Sequence, residues 1–582
     1  MSSLLKAALL STVWITISAA PPSLAAGSSP PELTITLTPI PQQGDVRTIE
    51  VVQTIKGYDA RPGKSAFEVP SRIALTKGQN YQQGDVTASD NAGPLSLTLT
   101  NAPSPPGLPL DLQSFTPARP ISGPVTLRYR ATIVPAMTAR RPGPSYDLRG
   151  VNGGFGGAFF SFLLIPSGVA GPMTVDLKWD FSRAAPGSRG ATTKGPGDLH
   201  FKATAEDLNV VFLLGGKISQ YTPADSKFSS YWIGTPSFDA QRLSDWAARS
   251  FNTLQTFFRD AQSPAFTLLM RPYANPRDGG AATRGGFMLE YGVGQLSDSA
   301  REAMFTHEMV HHFVGSLDGD SGANAWFGEG LAEFFKVRLP YRAKLLDLAA
   351  ATHEFDVMTE AYYTGALVAT PYEEVGQMRW AAAAAQYVPY NRGFMYFVNL
   401  NAKIVAHSSG RRSLDDLVLA MLARRRAGQT YDEAAWRELL RAELGDAGPA
   451  DLDAMLAGKL MVPPDDAFGQ CFHRVTIPHA HRPVLGFDEI ALLAEPHLVT
   501  GLDDGSAAST AGLRDGDKIL AYTGIAERIA HSASNVKLSP TVELTVQRGG
   551  TTSHIRFSTV GPEITQYRWV PKIGYAGICD VP

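Results

Sequence analysis

Two histidines four residues apart, with a glutamate beside the first, constrain this 582-residue chain more than any other feature in it. His307-Glu308-Met309-Val310-His311 has the pattern HExxH. On a helix, residues four apart lie on one face, so His307 and His311 can hold the same metal ion. Glu308 sits one step round, beside the open coordination position where a water would lie. Zinc lowers the pKa of such a water to about 7, and a neighbouring carboxylate can then take its proton. That is equipment for hydrolysing an amide bond.

The flanking residues agree with a helix. Ser299-Ala300-Arg301-Glu302 has the form of a capping box two turns before His307, and Gly315 is placed to end the helix. Trp326–Phe335 reads as a second helix, ended by Pro340. Zinc at a hydrolytic site needs a third protein ligand, and Glu329 is the candidate in a His2Glu set. Glu333, four residues on, lies on the same face and is expected to accept the free N–H of a ligating histidine, fixing its tautomer. The expectation is one zinc per chain, held by His307, His311 and Glu329, with Glu308 as general base.

The rest of the chain divides by composition. Residues 1–25 have the form of a signal peptide, with Lys6, the apolar run Ala7–Ala20 and the small-x-small site Ser23-Leu24-Ala25. Export to the periplasm or medium is expected. No other stretch approaches the length of a membrane span, so an integral membrane protein is not expected after cleavage. A formal net charge of −3 and the absence of basic runs argue against a nucleic-acid partner. Two cysteines, Cys471 and Cys579, exclude a disulfide scaffold and a Cys-based zinc site; in an oxidising compartment they can form one bridge.

Residues 31–221 read as a β-sandwich-like domain, because segments such as Leu33–Leu37 and Val125–Tyr129 alternate apolar and polar residues between Pro/Gly/Ser clusters. The glycines of Val151–Gly157 make no GxGxxG and read as a loop before an apolar strand, Phe159–Ile165. The catalytic region is expected over 222–461. It opens with a helix over Phe238–Arg259 and strands at Phe266–Arg271 and Gly286–Tyr291, joined by a Gly/Ala-rich loop, and is helical thereafter. Residues 462–482 read as a linker; His479 and His481 within it, flanked by prolines, read as solvated rather than metal-binding. Residues 483–560 return to β text, and 561–582 read as a tail.

Four segments carry a family resemblance. HEMVHH followed by WFGEGLAEFF resembles the gluzincin metallopeptidases, which place HExxH on one helix and a glutamate ligand on an EG-aromatic helix. Val388-Pro389-Tyr390-Asn391-Arg392-Gly393-Phe394 resembles the Pro-Tyr-x-Lys-Gly segment of gluzincin aminopeptidases. That likeness implies that Tyr390 donates a hydrogen bond to the oxyanion of the tetrahedral intermediate, with Tyr387 and Tyr396 as competing phenols. Arg411–Leu417 resembles a segment of the glycyl aminopeptidase family. Gly505–Leu520 resembles the PDZ signature, with Val542–Val546 and the Arg548-Gly549-Gly550 turn as its closing hairpin.

Together the resemblance implies an α+β multidomain chain: an N-terminal β-sandwich-like domain, a thermolysin-like, mostly helical catalytic domain and a C-terminal PDZ-like β domain. It implies an aminopeptidase that releases small N-terminal residues from peptide or protein substrates. PDZ domains bind extended peptides by strand addition, with backbone amides on a terminal carboxylate. Leu485-Gly486-Phe487 is the candidate amide loop, and a non-binding PDZ is the equal alternative. Related enzymes hold the substrate amine with a glutamate ending a glycine-rich edge-strand motif, and Gly285–Tyr291 offers Glu290 for that role. The alternatives are an endopeptidase that docks substrates through its PDZ domain, and a non-catalytic peptide-binding protein.

Overall fold

The computed structural model describes all residues except 1–29, 61–62, 74–75, 103–109, 139–144, 225, 275–277, 284, 293–296, 321, 380–381, 494–495, 528–535 and 575–582. The predicted signal peptide, residues 1–25, lies outside the described residues. Among those described, no helix is long and apolar enough to cross a membrane. The chain folds as two compact units, one of residues 1–248 and 262–296, the other of 249–261 and 297–582.

The first unit is built of strands because its sequence alternates. Leu33, Ile35 and Leu37 are fully buried, as are Val125, Leu127 and Ala131. Both strands belong to a seven-stranded sheet in which Glu32–Gln42 pairs antiparallel with Asp45–Lys56 and parallel with Met173–Trp179. Side chains from this sheet share one hydrophobic core with residues of a five-stranded and a six-stranded sheet. A short helix, α1 (Ala205–Asn209), is started by a capping box between Thr204 and Asp207.

The glycines expected to form a loop are themselves a strand. Gly154–Ala158 pairs antiparallel with Phe212–Gly216, and the predicted strand Phe159–Ile165 is instead a short 3-10 turn, Phe159–Ser161, leading to Ile165–Pro166. Close approach requires these glycines: a Cβ at Gly156 would stand 2.3 Å from Leu214 Cδ2, and one at Gly157 would stand 2.8 Å from the Asp147 carbonyl oxygen.

A second five-stranded sheet of this unit runs in the order Ser219–Tyr221, Phe228–Trp232, Phe266–Pro272, Gly286–Tyr291, Gly279–Thr283. The predicted strands at 266 and 286 are present and pair parallel. The Gly/Ala-rich segment between them is not all loop. Gly279–Thr283 is the edge strand, antiparallel to Gly286–Tyr291, and its small residues permit it: a Cβ at Gly280 would meet the Phe287 ring at 2.3 Å. Glu290 therefore sits on an interior strand and not on the edge.

α2 (Ala240–Phe257) follows the predicted apolar stripe, with Leu243, Trp246, Phe251 and Leu254 buried. The second unit is mostly helical. It contains α3 (Asp298–Val314), α4 (Ala325–Arg342), α5 (Leu348–Thr364), α6 (Tyr372–Met378), α7 (Ala383–His407), α8 (Leu414–Arg426), α9 (Glu433–Leu444) and α10 (Ala447–Leu456). The chain is thus α+β and multidomain, with a helical region flanked in sequence by sheets.

Beyond α10, the expected linker turns out to be half of a ribbon. Phe472–Pro483 pairs antiparallel with Val560–Pro571, in the stretch read as a tail. Pro478 cannot donate to a ladder, and the register shifts there between Ile477 and Ala480, so the proline sits at an irregularity. The ribbon is seated on α5: Arg568 pairs with Asp356, and the Tyr567 ring meets Tyr363 with centroids 5.3 Å apart. Trp569, 1 % exposed, packs on Phe468. His479 and His481 are exposed, as expected.

Between the ribbon strands lies a small β domain. Lys518–Glu527, Val536–Arg548 and Thr551–Ser558 form its sheet, closed by the predicted turn at Gly549-Gly550, both at positive φ. Phe487, Val499, Leu513, Val542, Leu544 and Val546 supply its core.

Cys471 is buried just before the ribbon and is not a free thiol, whereas Cys579 lies outside the described residues. A Cys471–Cys579 bridge is expected in an oxidising compartment. It would close a loop of roughly a hundred residues, for which chain entropy gives at most about 4–5 kcal/mol. Titration of the unfolded, unreduced protein should find no free thiol; two would refute the bridge.

Candidate active site

Helix α3 carries HExxH. Its N-cap is Ser297, whose Oγ accepts from the Ala300 N–H, so the helix starts before the predicted Ser299 box. The backbone at Ser297 is already extended, which places the cap there. At the other end Gly315, at φ +67°, closes the helix as expected. Its last carbonyls are met from a distance: Arg425 of α8 donates to Phe313 and Val314, and the Tyr431 hydroxyl donates to Val314 at 2.8 Å. A cation at this C-terminus also suits the helix dipole.

Helix α4 runs past Pro340 to Arg342, so the proline sits in the last turns instead of ending the helix. Its crossing with α7 is unusually close. A Cβ at Gly330 would stand 2.6 Å from Gly393 Cα, and one at Gly393 would stand 2.4 Å from the Trp326 carbonyl oxygen. Only two glycines face to face allow the helices to meet at this distance.

The three predicted metal ligands converge. His307 and His311 are 1 % and 2 % exposed and Glu329 is 1 %. Nε2 of His307 and Nε2 of His311 are 3.1 Å apart, and Glu329 Oε2 lies 3.3 Å and 3.2 Å from them. Tetrahedral ligands at the usual zinc distances of about 2.0–2.1 Å stand roughly 3.3 Å from each other. The triangle therefore has the size that zinc requires. Three acceptor atoms so close and so deeply buried also need a cation among them. Among the described residues this is the one such cluster of histidine, cysteine and acidic groups.

Glu333 lies where the spacing predicted. It is fully buried, with Oε1 2.7 Å from His307 Nδ1. Donation from Nδ1–H to this carboxylate leaves the Nε2 lone pair facing the other two ligands. The field at the site favours positive charge. Burial opposes protonation of His307, but the Glu329 and Glu333 carboxylates outweigh it and hold its pKa up at about 10. Burial likewise raises Glu329, but the two histidines prevail and bring it down to about 2.

Glu308 is buried next to His307, 1 % exposed. Tyr390 of α7 lies flat on the His307 ring, with centroids 5.6 Å apart and planes at 14°. The competing phenols are engaged elsewhere. Tyr387 donates to Glu489 at 3.1 Å, and Tyr396 is fully buried behind Trp326 with its hydroxyl 3.4 Å from Trp436 Nε1. Arg392, where the resembling segment has lysine, donates from Nη2 to the carbonyls of Leu367, Val368 and Thr370, fastening the segment between α5 and α6.

Glu290 belongs to the first unit, and its surroundings there are charged. Its Oε1 lies 2.5 Å from Arg271 Nη2, and that nitrogen also reaches Asp147 Oδ1 at 2.8 Å. Asp147 in turn holds Arg149 at 2.6 Å. Arg271 is fully buried and Glu290 is 1 % exposed, so this is an internal network of alternating charge. Sequence reading missed its other members because Arg271 lies 124 residues from Asp147, and an Asp-x-Arg spacing alone carries no signal. It also missed Lys336, which lies 2.7 Å from Glu333 Oε2. The only signal for that contact was an i,i+3 spacing shared with ordinary surface pairs.

A buried His2Glu set with a carboxylate beside it is the centre of a zinc-dependent hydrolase, with one zinc site per chain. The fold agrees: the chain is similar to the crystal structure of an aminopeptidase N family protein from Idiomarina loihiensis, at 16% identity and a TM-score of 0.64, over 93% of this chain and 98% of that one. It is also similar to an M1 zinc metallopeptidase from Deinococcus radiodurans (16% identity, TM-score 0.44, 77% of this chain and 97% of that one). Leukotriene A4 hydrolase from Saccharomyces cerevisiae is a further neighbour (11% identity, TM-score 0.43, 74% and 68%). The first of these shows that the chain shares the fold of that aminopeptidase N family protein. No protein-family model matches the chain, and no curated protein does.

Proposed function

We propose that the chain is an exported zinc aminopeptidase that releases small N-terminal residues from peptides. The observation that carries this reading is the stacking of Tyr390 on the His307 ring within a complete His307/His311/Glu329 set, with Glu308 adjacent. His307, His311 and Glu329 would hold a zinc ion, which would supply Lewis acidity here: it would bring a water's pKa to about 7 and polarise the scissile carbonyl. Glu308 takes the proton of the attacking water and passes it to the leaving amine. Tyr390 donates its hydroxyl proton in a hydrogen bond to the developing oxyanion. Glu333 keeps His307 in the tautomer that ligates through Nε2. The similarity in fold to the aminopeptidase N family protein from Idiomarina supports the aminopeptidase class.

Glu290 is retained as the group that holds the substrate's free amine. Its pairing with Arg271 favours a second reading, an endopeptidase, because a carboxylate already neutralised attracts an ammonium group less. Ala- or Gly-p-nitroanilide compared with the same compound N-acetylated separates the two. The aminopeptidase reading expects the acetylated compound to be inert, and expects Glu290→Gln to remove the preference with zinc still bound. Gln is the better replacement than Ala, since truncation would leave the buried Arg271 short of a partner, a change that costs about 3–5 kcal/mol in such settings. Equal cleavage of both compounds would make the enzyme an endopeptidase.

For the small β domain the reading is a PDZ-like peptide-binding module, with the amides of Leu485, Gly486 and Phe487 receiving a C-terminal carboxylate. Gly486 at φ +84°, with Phe487 anchored in the domain core, supports a rigid turn at this loop.

A further inference from the structure

Glu333 divides its two oxygens between two partners, a ligating histidine and a buried lysine. Oε1 faces His307 Nδ1 at 2.7 Å, and Oε2 faces Lys336 Nζ at 2.7 Å. Lys336 is itself 4 % exposed and reaches Glu354 Oε2 of α5 at 3.0 Å. The groups therefore form a line, Glu354–Lys336–Glu333–His307, that runs from α5 through α4 to the metal helix. A terminal carboxylate torsion is soft, with broad two-fold preference, so one contact to His307 does not by itself fix the plane of Glu333. A buried carboxylate also needs a cation close by to remain in an apolar interior.

We propose that Lys336 is a positioning residue of the metal centre: its ammonium group, braced by Glu354, sets the Glu333 carboxylate and through it the ring orientation and tautomer of His307. A lysine that merely ties α4 to α5 would have no reason to share the oxygen pair that orients a ligand. Outer partners of ligating histidines typically matter to metal affinity by about 10–100-fold. Lys336 acts one contact further out, and its effect runs through Glu333.

The test uses the full chain, with zinc affinity read by chelator competition and site geometry read from the visible spectrum of the cobalt(II)-substituted protein. Lys336→Met should weaken zinc by about 10-fold and shift the cobalt bands, while Lys336→Arg restores most of the affinity. Glu333→Gln should weaken zinc at least as much. The double variant should then be little worse than Glu333→Gln alone, because the two residues act in series. Zinc affinity within twofold of wild type in Lys336→Met, an unchanged cobalt spectrum, or effects that multiply in the double variant would each overturn the proposal and leave an ordinary interhelical ion pair. Should Lys336→Met fail to fold, Glu354→Gln decides the matter, since it keeps every charge around His307. A severalfold loss of zinc affinity is expected there, and an unchanged affinity refutes the bracing.

Discussion

Glu308→Gln should leave one zinc bound per chain and lower peptide hydrolysis by about 10⁴-fold, the upper end of what a positioned base contributes. Gln has the shape of Glu and can still hydrogen-bond, but it cannot accept a proton at neutral pH. Glu308 is not among the three atoms that form the ligand triangle, so metal binding rests on His307, His311 and Glu329 alone. Its burial matters to the size of the effect, because at 1 % exposure bulk solvent is a poor substitute for the missing base. Metal analysis and p-nitroanilide turnover on the same preparation check both halves. Retained turnover in metal-replete Glu308→Gln protein would sink the mechanism. Glu329→Ala provides the contrast: it should lose the metal first and activity as a consequence.

Tyr390→Phe should lower kcat by ~10² with little change in KM. The substitution is clean because the Phe ring can keep the stack on His307, whose planes meet at 14°, so that only the hydroxyl is lost. A contact made to the oxyanion exists in the transition state and not in the ground state, which is why kcat moves and KM does not. Tyr387→Phe and Tyr396→Phe should leave kcat near wild type, since those hydroxyls are committed to Glu489 and Trp436. Were either of them to show the 10²-fold loss instead, the oxyanion donor would be misassigned within α7.

The metal site was legible in the sequence because helical spacing is strict. His307, His311, Glu329 and Glu333 each occupy a position that a period of 3.6 residues dictates, and the fold only had to bring two helices together. The place of Tyr390 beside His307 followed from the residues around it, not from any period. Features that depend on distant backbone were not. Gly154–Ala158 is a strand because its partners press against it, while glycines taken alone suggest a loop. Phe472–Pro483, with its prolines and histidines, lacks the alternation of a half-buried strand, and its pairing partners lie 77 to 99 residues downstream, from Pro483↔Val560 to Phe472↔Pro571. The Gly330–Gly393 contact belongs to the same group. The glycine after Glu329 looks like part of a motif, yet its physical role is to let α4 and α7 touch backbone to backbone. Gly393 lies one turn after Tyr390 on α7, so a side chain at either glycine would push apart the helices that carry Glu329 and Tyr390.

The ribbon changes what deleting the small β domain would mean. Pro483 and Val560 stand opposite each other across its two strands, so the chain departs on one strand and returns beside it on the other. In topological terms the domain is an insertion and not an appendage. A stop codon after residue 483 would remove more than the domain: it would strip Phe472–Pro483 of its partner and uncover Tyr363 and Phe468, which Tyr567 and Trp569 now cover. A loop-out chain, with Pro483 joined to Val560 through a two-residue hairpin turn, keeps both strands and their seat on α5. Comparing the loop-out chain with the truncation would separate what the small domain does for substrates from what the ribbon does for the helices beneath it.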